Sequence, residues 1–137
     1  MVGMAMYFAY GLDLNRKHMK ERCPDSKPKF TATLPNFKLI FVGWSRQWRG
    51  GLVTIKPFRG EKVLGAIYEV SQKDISRLDT YEGHPGTSNR LDVTVFDEDG
   101  QAIPAITYLR VGQRDEAKPS PEYLAIIQQG YRDWALV

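Results

Sequence analysis

With 137 residues, 42% of them hydrophobic, and a net charge of +3 spread over interspersed acidic and basic side chains, the chain has the length for one domain over residues 1–137, with one core. The lone cysteine, Cys23, excludes an internal disulfide, and His18 and His84 stand apart without cysteine partners, so neither a metal site nor another cofactor is expected. No apolar run approaches a membrane span, and Met1 to Met6 lacks the basic start and long apolar centre of a signal peptide, so a cytoplasmic protein is expected, without membrane partners.

Met4 to Tyr10 is rich in aromatic and small apolar residues and reads as a buried strand, which Gly11 breaks. Asp13 is placed to cap a short helix over about Leu14 to Glu21, stopped by Cys23-Pro24. Arg16, Lys17, Lys20 and Arg22 form the densest basic cluster and read as a solvated face of that helix, so no nucleic-acid partner is expected. Asp25 to Lys29 is a polar loop. Phe30 to Leu34 and Phe37 to Val42 read as strands joined by a Pro35-Asn36 turn, and Trp44 to Gly51 as an irregular stretch. Leu52 to Lys56 and Val63 to Val70 read as strands around an Arg59-Gly60 turn. Leu91 to Phe96 and Ala102 to Arg110 form a hairpin across Asp97-Glu98-Asp99-Gly100, with Pro104 suggesting an edge or bulge. Gly112 to Lys118 is loop. Ser120-Pro121 opens the last helix, whose apolar stripe is Tyr123, Ile126, Ile127 and Tyr131. Many strands with three short helices, not strictly alternating, imply an α+β fold, and five such strands can close into a small barrel.

Ser71 to Gly83 is the most sharply marked element. Ser71 and Asp74 approximate a capping box, and Gly83 suits the position just past a helix end. Ile75, Leu78 and Glu82 share one face, so the spacing aims a carboxyl group where a core residue would go. Burial and the negative helix end both raise the pKa of such a group, as acid–base chemistry near neutral pH needs. The competing reading is a Glu82 that frays outward at a helix end. Asp79, one turn earlier, reads as solvated.

Familiar catalytic signatures are missing: no Gly-x-Ser-x-Gly elbow, no phosphate-binding Gly-x-x-x-x-Gly-Lys loop and no paired cysteine motif. What remains is Glu82 and a strand–glycine–helix turn at Tyr7-Phe8-Ala9-Tyr10-Gly11, which offers backbone N–H groups to an anion. Together with Met19-x-x-Arg22-Cys23-Pro24, Gly50-Gly51-Leu52-Val53-Thr54-Ile55, Leu78-Asp79-x-x-Glu82-Gly83, Pro119-Ser120-Pro121-x-Tyr123 and Gly130-Tyr131, these motifs run in order along nearly the whole chain. In them the chain resembles the gamma-glutamylcyclotransferase-like family.

The resemblance implies a small mixed β-barrel with short flanking helices and a pocket between the Tyr-Gly loop and the glutamate-bearing helix end. It implies Glu82 as general acid–base, the loop Tyr10, Gly11, Leu12, Asp13 and Leu14 against the substrate's glutamyl end, and Tyr108 on the pocket wall. The implied reaction releases 5-oxoproline and a free amine from a gamma-glutamyl substrate. Two positions depart from the family pattern. Leu12-Asp13 stands where Ser-Asn is usual, and Ser88 stands where a tyrosine usually precedes Arg90 by two residues. Intact Glu82 favours an enzyme; Leu12-Asp13 favours a non-catalytic binding homologue of the same fold. Trp48 and Arg49 flank the Gly50-Gly51 turn and read as packing, with a rim for the substrate's leaving portion as the competing reading; Arg22 reads as a structural ion-pair partner, and Tyr131 and Trp134 as core residues.

Overall fold

The computed structural model describes residues 4–112 and 115–136. Residues 1–3, which head the signal-peptide reading, and 113–114, inside the expected Gly112–Lys118 loop, lie outside the described residues. Five strands close a barrel in the order β1-β3-β2-β4-β5: β1 (Ala5–Ala9), β2 (Lys27–Ser45), β3 (Gly50–Val70), β4 (Ser88–Phe96) and β5 (Ala102–Arg110). Neighbours are antiparallel except β1 and β5, which meet in parallel at Tyr7 and Ile106. Three helices flank it: α1 (Arg16–Arg22), α2 (Gln72–Glu82) and α3 (Pro121–Asp133). A single 3-10 turn, Leu12–Leu14, joins β1 to α1. Among the described residues no helix is long and apolar enough to cross a membrane. The expected α+β barrel is the observed fold.

The strand alternation on β1 builds two cores. Tyr7 and Ala9 pack with Leu14, Met19, Tyr68 and Leu78 beneath the helices. Phe8 joins Leu34, Ile67, Val95 and Ala105, so that all five strands fill the barrel. Trp134 lies in the first core, with Tyr131 packed against it, as expected.

Two expected turns are absent. Lys27 to Ser45 and Gly50 to Val70 each run as one strand, including the segment read as a loop before Lys29. Their register shifts between Pro35 and Phe37 while β3 bulges from Pro57 to Lys62. Asn36 takes a left-handed conformation (φ 62°), and its side chain accepts a hydrogen bond from the Gly60 N–H at 3.1 Å. The two turn signals therefore face each other as one paired irregularity, which bends the strands without ending them. Beyond it, Phe37–Ser45 and Gly50–Pro57 form a ribbon tipped by Arg46–Arg49.

A helix begins near the expected place, but Asp13 does not cap it. Asn15 is the N-cap of α1, its side chain accepting from the His18 N–H at 3.0 Å. Asp13 is buried in the preceding turn. Both ends of α2 are as expected: Ser71 and Asp74 complete a capping box, and Gly83 closes the helix in the left-handed conformation. Ser120 caps α3 by accepting from the Tyr123 N–H at 3.3 Å.

Candidate active site

A cavity of about 150 Å3 opens between the Tyr-Gly turn, the ends of α1 and α2, β5 and the ribbon. From the turn come Tyr10, Gly11, Leu12 and Asp13, and from the helices Arg22, Tyr81 and Glu82. Tyr108 and Arg110 line it from β5, Tyr123 from α3, and Gln47, Trp48 and Val53 from the ribbon. Five of the six expected binding residues thus meet Glu82 around one space. Leu14 does not: it is fully buried in the core, and its carbonyl accepts from the Trp134 Nε1–H at 2.9 Å.

The turn is shaped by close packing. A Cβ on Gly11 would sit 2.5 Å from a methyl of Val53, so only glycine lets the ribbon close over it. On the other side α3 presses in at Gly130, where a Cβ would lie 2.5 Å from the Asn15 backbone nitrogen. Tyr10 is fixed by donating to the Tyr108 carbonyl at 2.6 Å. Tyr123, the first residue of the α3 stripe, reaches the cavity beneath Trp48, with ring centroids 5.2 Å apart. Its hydroxyl accepts from the Val53 N–H at 2.9 Å, and burial pushes its pKa up to about 12.

Glu82 arrives on the stripe that buries Ile75 and Leu78, at the last residue of α2. Its side chain retains 24% exposure and faces the cavity, not bulk solvent. Arg22 meets it because Met19 on α1 and Cys23 at its C-cap, four residues apart, anchor that helix in the core and leave Arg22 on the flank. The Arg22 Nη1–H groups donate to Glu82 Oε2 at 3.1 Å and Asp13 Oδ1 at 3.3 Å. Asp13 also accepts from the Tyr7 hydroxyl at 2.6 Å. The Glu82 pKa is raised, first by burial and then by the Asp13 charge, with Arg22 pulling the other way. Burial lowers the Arg22 pKa, but Asp13 and Glu82 outweigh it and the net direction is up.

Asp79 is not simply solvated. It accepts from the Tyr108 hydroxyl at 2.5 Å and from Arg90 Nη1 at 2.8 and 3.1 Å, which clamps Tyr108 into the wall. Ser88 is fully buried, does not line the cavity, and its hydroxyl has no partner among the described residues. Of the cavity residues to which the sequence gives no site role, two are cations, Arg22 and Arg110. Arg22 was seen in its motif but read as structural alone. Arg110 was overlooked, although it stands two residues after Tyr108 on a strand and therefore on the same face. Among the described residues, no cluster of three or more His, Cys, Asp or Glu side chains is arranged to hold a metal ion.

The family model described as gamma-glutamyl cyclotransferase, AIG2-like, matches residues 7–134. The gamma-glutamylcyclotransferases of Mus musculus and Homo sapiens are each 32% identical over 133 residues, covering 93% of this chain and 70% of theirs. A solved structure of a gamma-glutamyl cyclotransferase superposes with a TM-score of 0.92 at 30% identity, over 97% of this chain and 81% of that one. With the same barrel and a match from the first cavity residue on β1 to the end of α3, the chain belongs to the gamma-glutamyl cyclotransferase, AIG2-like family.

Proposed function

We propose that this protein is a cyclotransferase for a gamma-glutamyl amine or amino acid, acting in the cytoplasm as one domain without a cofactor, with Glu82 as acid–base. The glutamyl end lies along Tyr10–Asp13, where the N–H groups of Leu12 and Asp13 have no acceptor among the described residues. Tyr108 forms the facing wall. The substrate's α-amine attacks its own δ-carbonyl, forming the ring N–C bond. The bond from that carbon to the leaving nitrogen then breaks, giving 5-oxoproline and a free amine. Glu82 takes a proton as the α-ammonium becomes the attacking amine and gives it to the leaving nitrogen, then takes the second proton that the ring nitrogen sheds as the lactam forms, which the departing amine carries off as an ammonium. The chain supplies no nucleophile, consistent with the missing triad. Holding amine and carbonyl in register supplies on the order of 7–11 kcal/mol, and a tuned carboxyl adds roughly 100- to 10,000-fold.

The observation that carries this reading is the Glu82 carboxyl, its pKa raised by burial, lining the same small cavity as the Tyr10–Gly11 turn. A second reading, a homologue that binds without turnover, draws on the Arg22–Glu82 ion pair at 3.1 Å and on Asp13 in place of a neutral residue. Incubation with a panel of gamma-glutamyl compounds, followed by mass spectrometry for 5-oxoproline, separates the two. Product supports the enzyme; binding without product supports the second reading.

A further inference from the structure

Two side chains of α1 approach Asp13. His18 and Arg22 stand four residues apart and so share one helix face. Both reach back to the turn before the helix. Arg22 Nη1 lies 3.3 Å from Asp13 Oδ1, and His18 Nε2 lies 3.7 Å from the same oxygen. The Asn15 cap fixes the backbone of His18 by accepting its N–H at 3.0 Å. The His18 side chain retains 22% exposure, yet Nε2 itself is buried and has no hydrogen-bond partner among the described residues. An unsatisfied buried nitrogen is costly, and a shift of about 1 Å would bring it within hydrogen-bond reach of Asp13. Asp13 has room for a third donor. Its carboxylate accepts from Arg22 on one oxygen and from Tyr7 on the other, and a carboxylate offers about four lone-pair positions.

Protonation decides whether that bond forms. Imidazolium carries N–H on both ring nitrogens, so a charged Nε2–H gains Asp13 as an ion-pair partner. Burial disfavours the charge on His18, Asp13 favours it, Arg22 opposes it and Glu21 favours it, and the net direction is down from the ordinary histidine value. Glu82 moves the other way. Burial and Asp13 raise its pKa against the pull of Arg22 and of Arg110 on β5, whose Nε is buried without an acceptor among the described residues. The two groups thus approach one titration range from opposite sides, with Asp13 and Arg22 between them. Tyr7 on β1 stays a neutral donor to Asp13, its pKa pushed well up by burial. On α3, Asp133 is taken up by the Arg16 N–H and by Gln129.

We propose that His18 is a positioning residue for Glu82: once protonated, it donates from Nε2 to Asp13 Oδ1, leaves Arg22 to Glu82, and so keeps that carboxyl ionised as the pH falls. This inference rests on the acid–base role proposed above for Glu82.

Two readouts test it, and the first needs no substrate. The His18 ring protons are followed by NMR from about pH 4 to 8, which spans the reference values of both groups. The chain has two histidines, and His84→Gln identifies the resonance of His18. Coupling is reciprocal. Glu82→Gln, which fixes the neutral state, should therefore lower the His18 midpoint by about 0.5–1 pH unit, the effect of one partly screened charge. Asp13→Asn should lower it as well. The second readout is kcat/KM against pH, by 5-oxoproline release. His18→Gln should move the acidic limb up by a similar interval, and His18→Arg, a permanent cation, should move it down. A merely structural role would depress the rate at every pH and leave the limb in place. A His18 midpoint unmoved by Glu82→Gln overturns the proposal, whether or not the protein turns over substrate. A limb that neither His18 variant moves also overturns it, while 5-oxoproline release keeps the enzyme reading intact. Coupled midpoints without product from any gamma-glutamyl compound uphold His18 as the residue that sets the charge of Glu82 and overturn the enzyme reading.

Discussion

Arg22 Nη1 stands 3.1 Å from Glu82 Oε2, and the same nitrogen lies 3.3 Å from Asp13 Oδ1. One cation thus holds two carboxylates that share a small cavity. Removing it leaves both uncompensated, a loss of about 3 kcal/mol, the low end for a broken buried pair. Arg22→Met should therefore lower the unfolding midpoint clearly in thermal denaturation. An unchanged midpoint would mean that water already screens the pair.

Glu82→Gln keeps the shape of the side chain and one acceptor for Arg22 but cannot move a proton. Turnover should fall by roughly 100-fold or more, with a much smaller change in stability, as measured by 5-oxoproline release alongside thermal melts. Wild-type rates in this variant, on any substrate the protein accepts, would remove Glu82 from the mechanism.

The pH profile carries the signature of Asp13. Glu82 accepts a proton only when ionised, so kcat/KM falls as pH drops through its raised pKa. The acidic limb should therefore sit above the usual glutamate range. Asp13→Asn removes one of the two upward influences while leaving an oxygen for the Tyr7 hydroxyl, so the limb should move to lower pH. Stability has the corresponding sign. Folded Glu82 holds its proton to higher pH than the unfolded chain does, so its contribution is lost as pH rises through that window. Asp13→Asn should shrink the loss. A limb that stays in place, or moves up, would show that Asp13 does not act on Glu82.

Alanine is the better helix former, yet Gly130→Ala should destabilise. The added methyl meets the backbone of Leu14 and Asn15 at 2.5–2.6 Å, and neither can swing aside as a side chain would. A cost of about 1–3 kcal/mol is expected for such overpacking, with a rise in KM as α3 pushes the turn toward the cavity. A more stable variant would mean that α3 slides freely over the turn.

Ser88→Ala runs the other way. The hydroxyl is fully buried without a partner among the described residues, so deleting it removes a desolvation cost and should raise stability by up to about 1 kcal/mol. Because Ser88 lies off the cavity, activity should hold. A marked loss of activity would reveal a partner for the hydroxyl that forms with substrate.

The parts legible in the sequence are those whose signals act locally. The starts of α2 and α3 are set by Ser71 and Ser120, whose side chains accept from backbone three residues on, and both are readable. The direction of Glu82 followed from helical spacing to Ile75 and Leu78. The continuity of β2 and β3 was not legible, because Pro35-Asn36 and Arg59-Gly60 are each a complete turn signal alone. Only their meeting across the ribbon, Asn36 against Gly60, makes them a bulge. Asp13 was misread as a cap for a similar reason. Asn15, two residues on, has the same capping chemistry, and the partners that bury Asp13 are Tyr7 on a strand and Arg22 on a helix. Arg22 and Arg110 were in view as residue types, but their different states of pairing depend on contacts from distant elements.

The bulge between barrel and ribbon has a consequence for how such a protein can diverge. The ribbon draws its register from strands locked into the barrel below, while its tip, residues 46–49, brings Gln47 and Trp48 to the cavity mouth. Glu82 comes from α2, an element separate from that tip. The four tip residues thus form an exchangeable cassette, open to drift or to transplantation from a relative, and what enters the cavity can be rewritten without touching the helix that carries the carboxyl group.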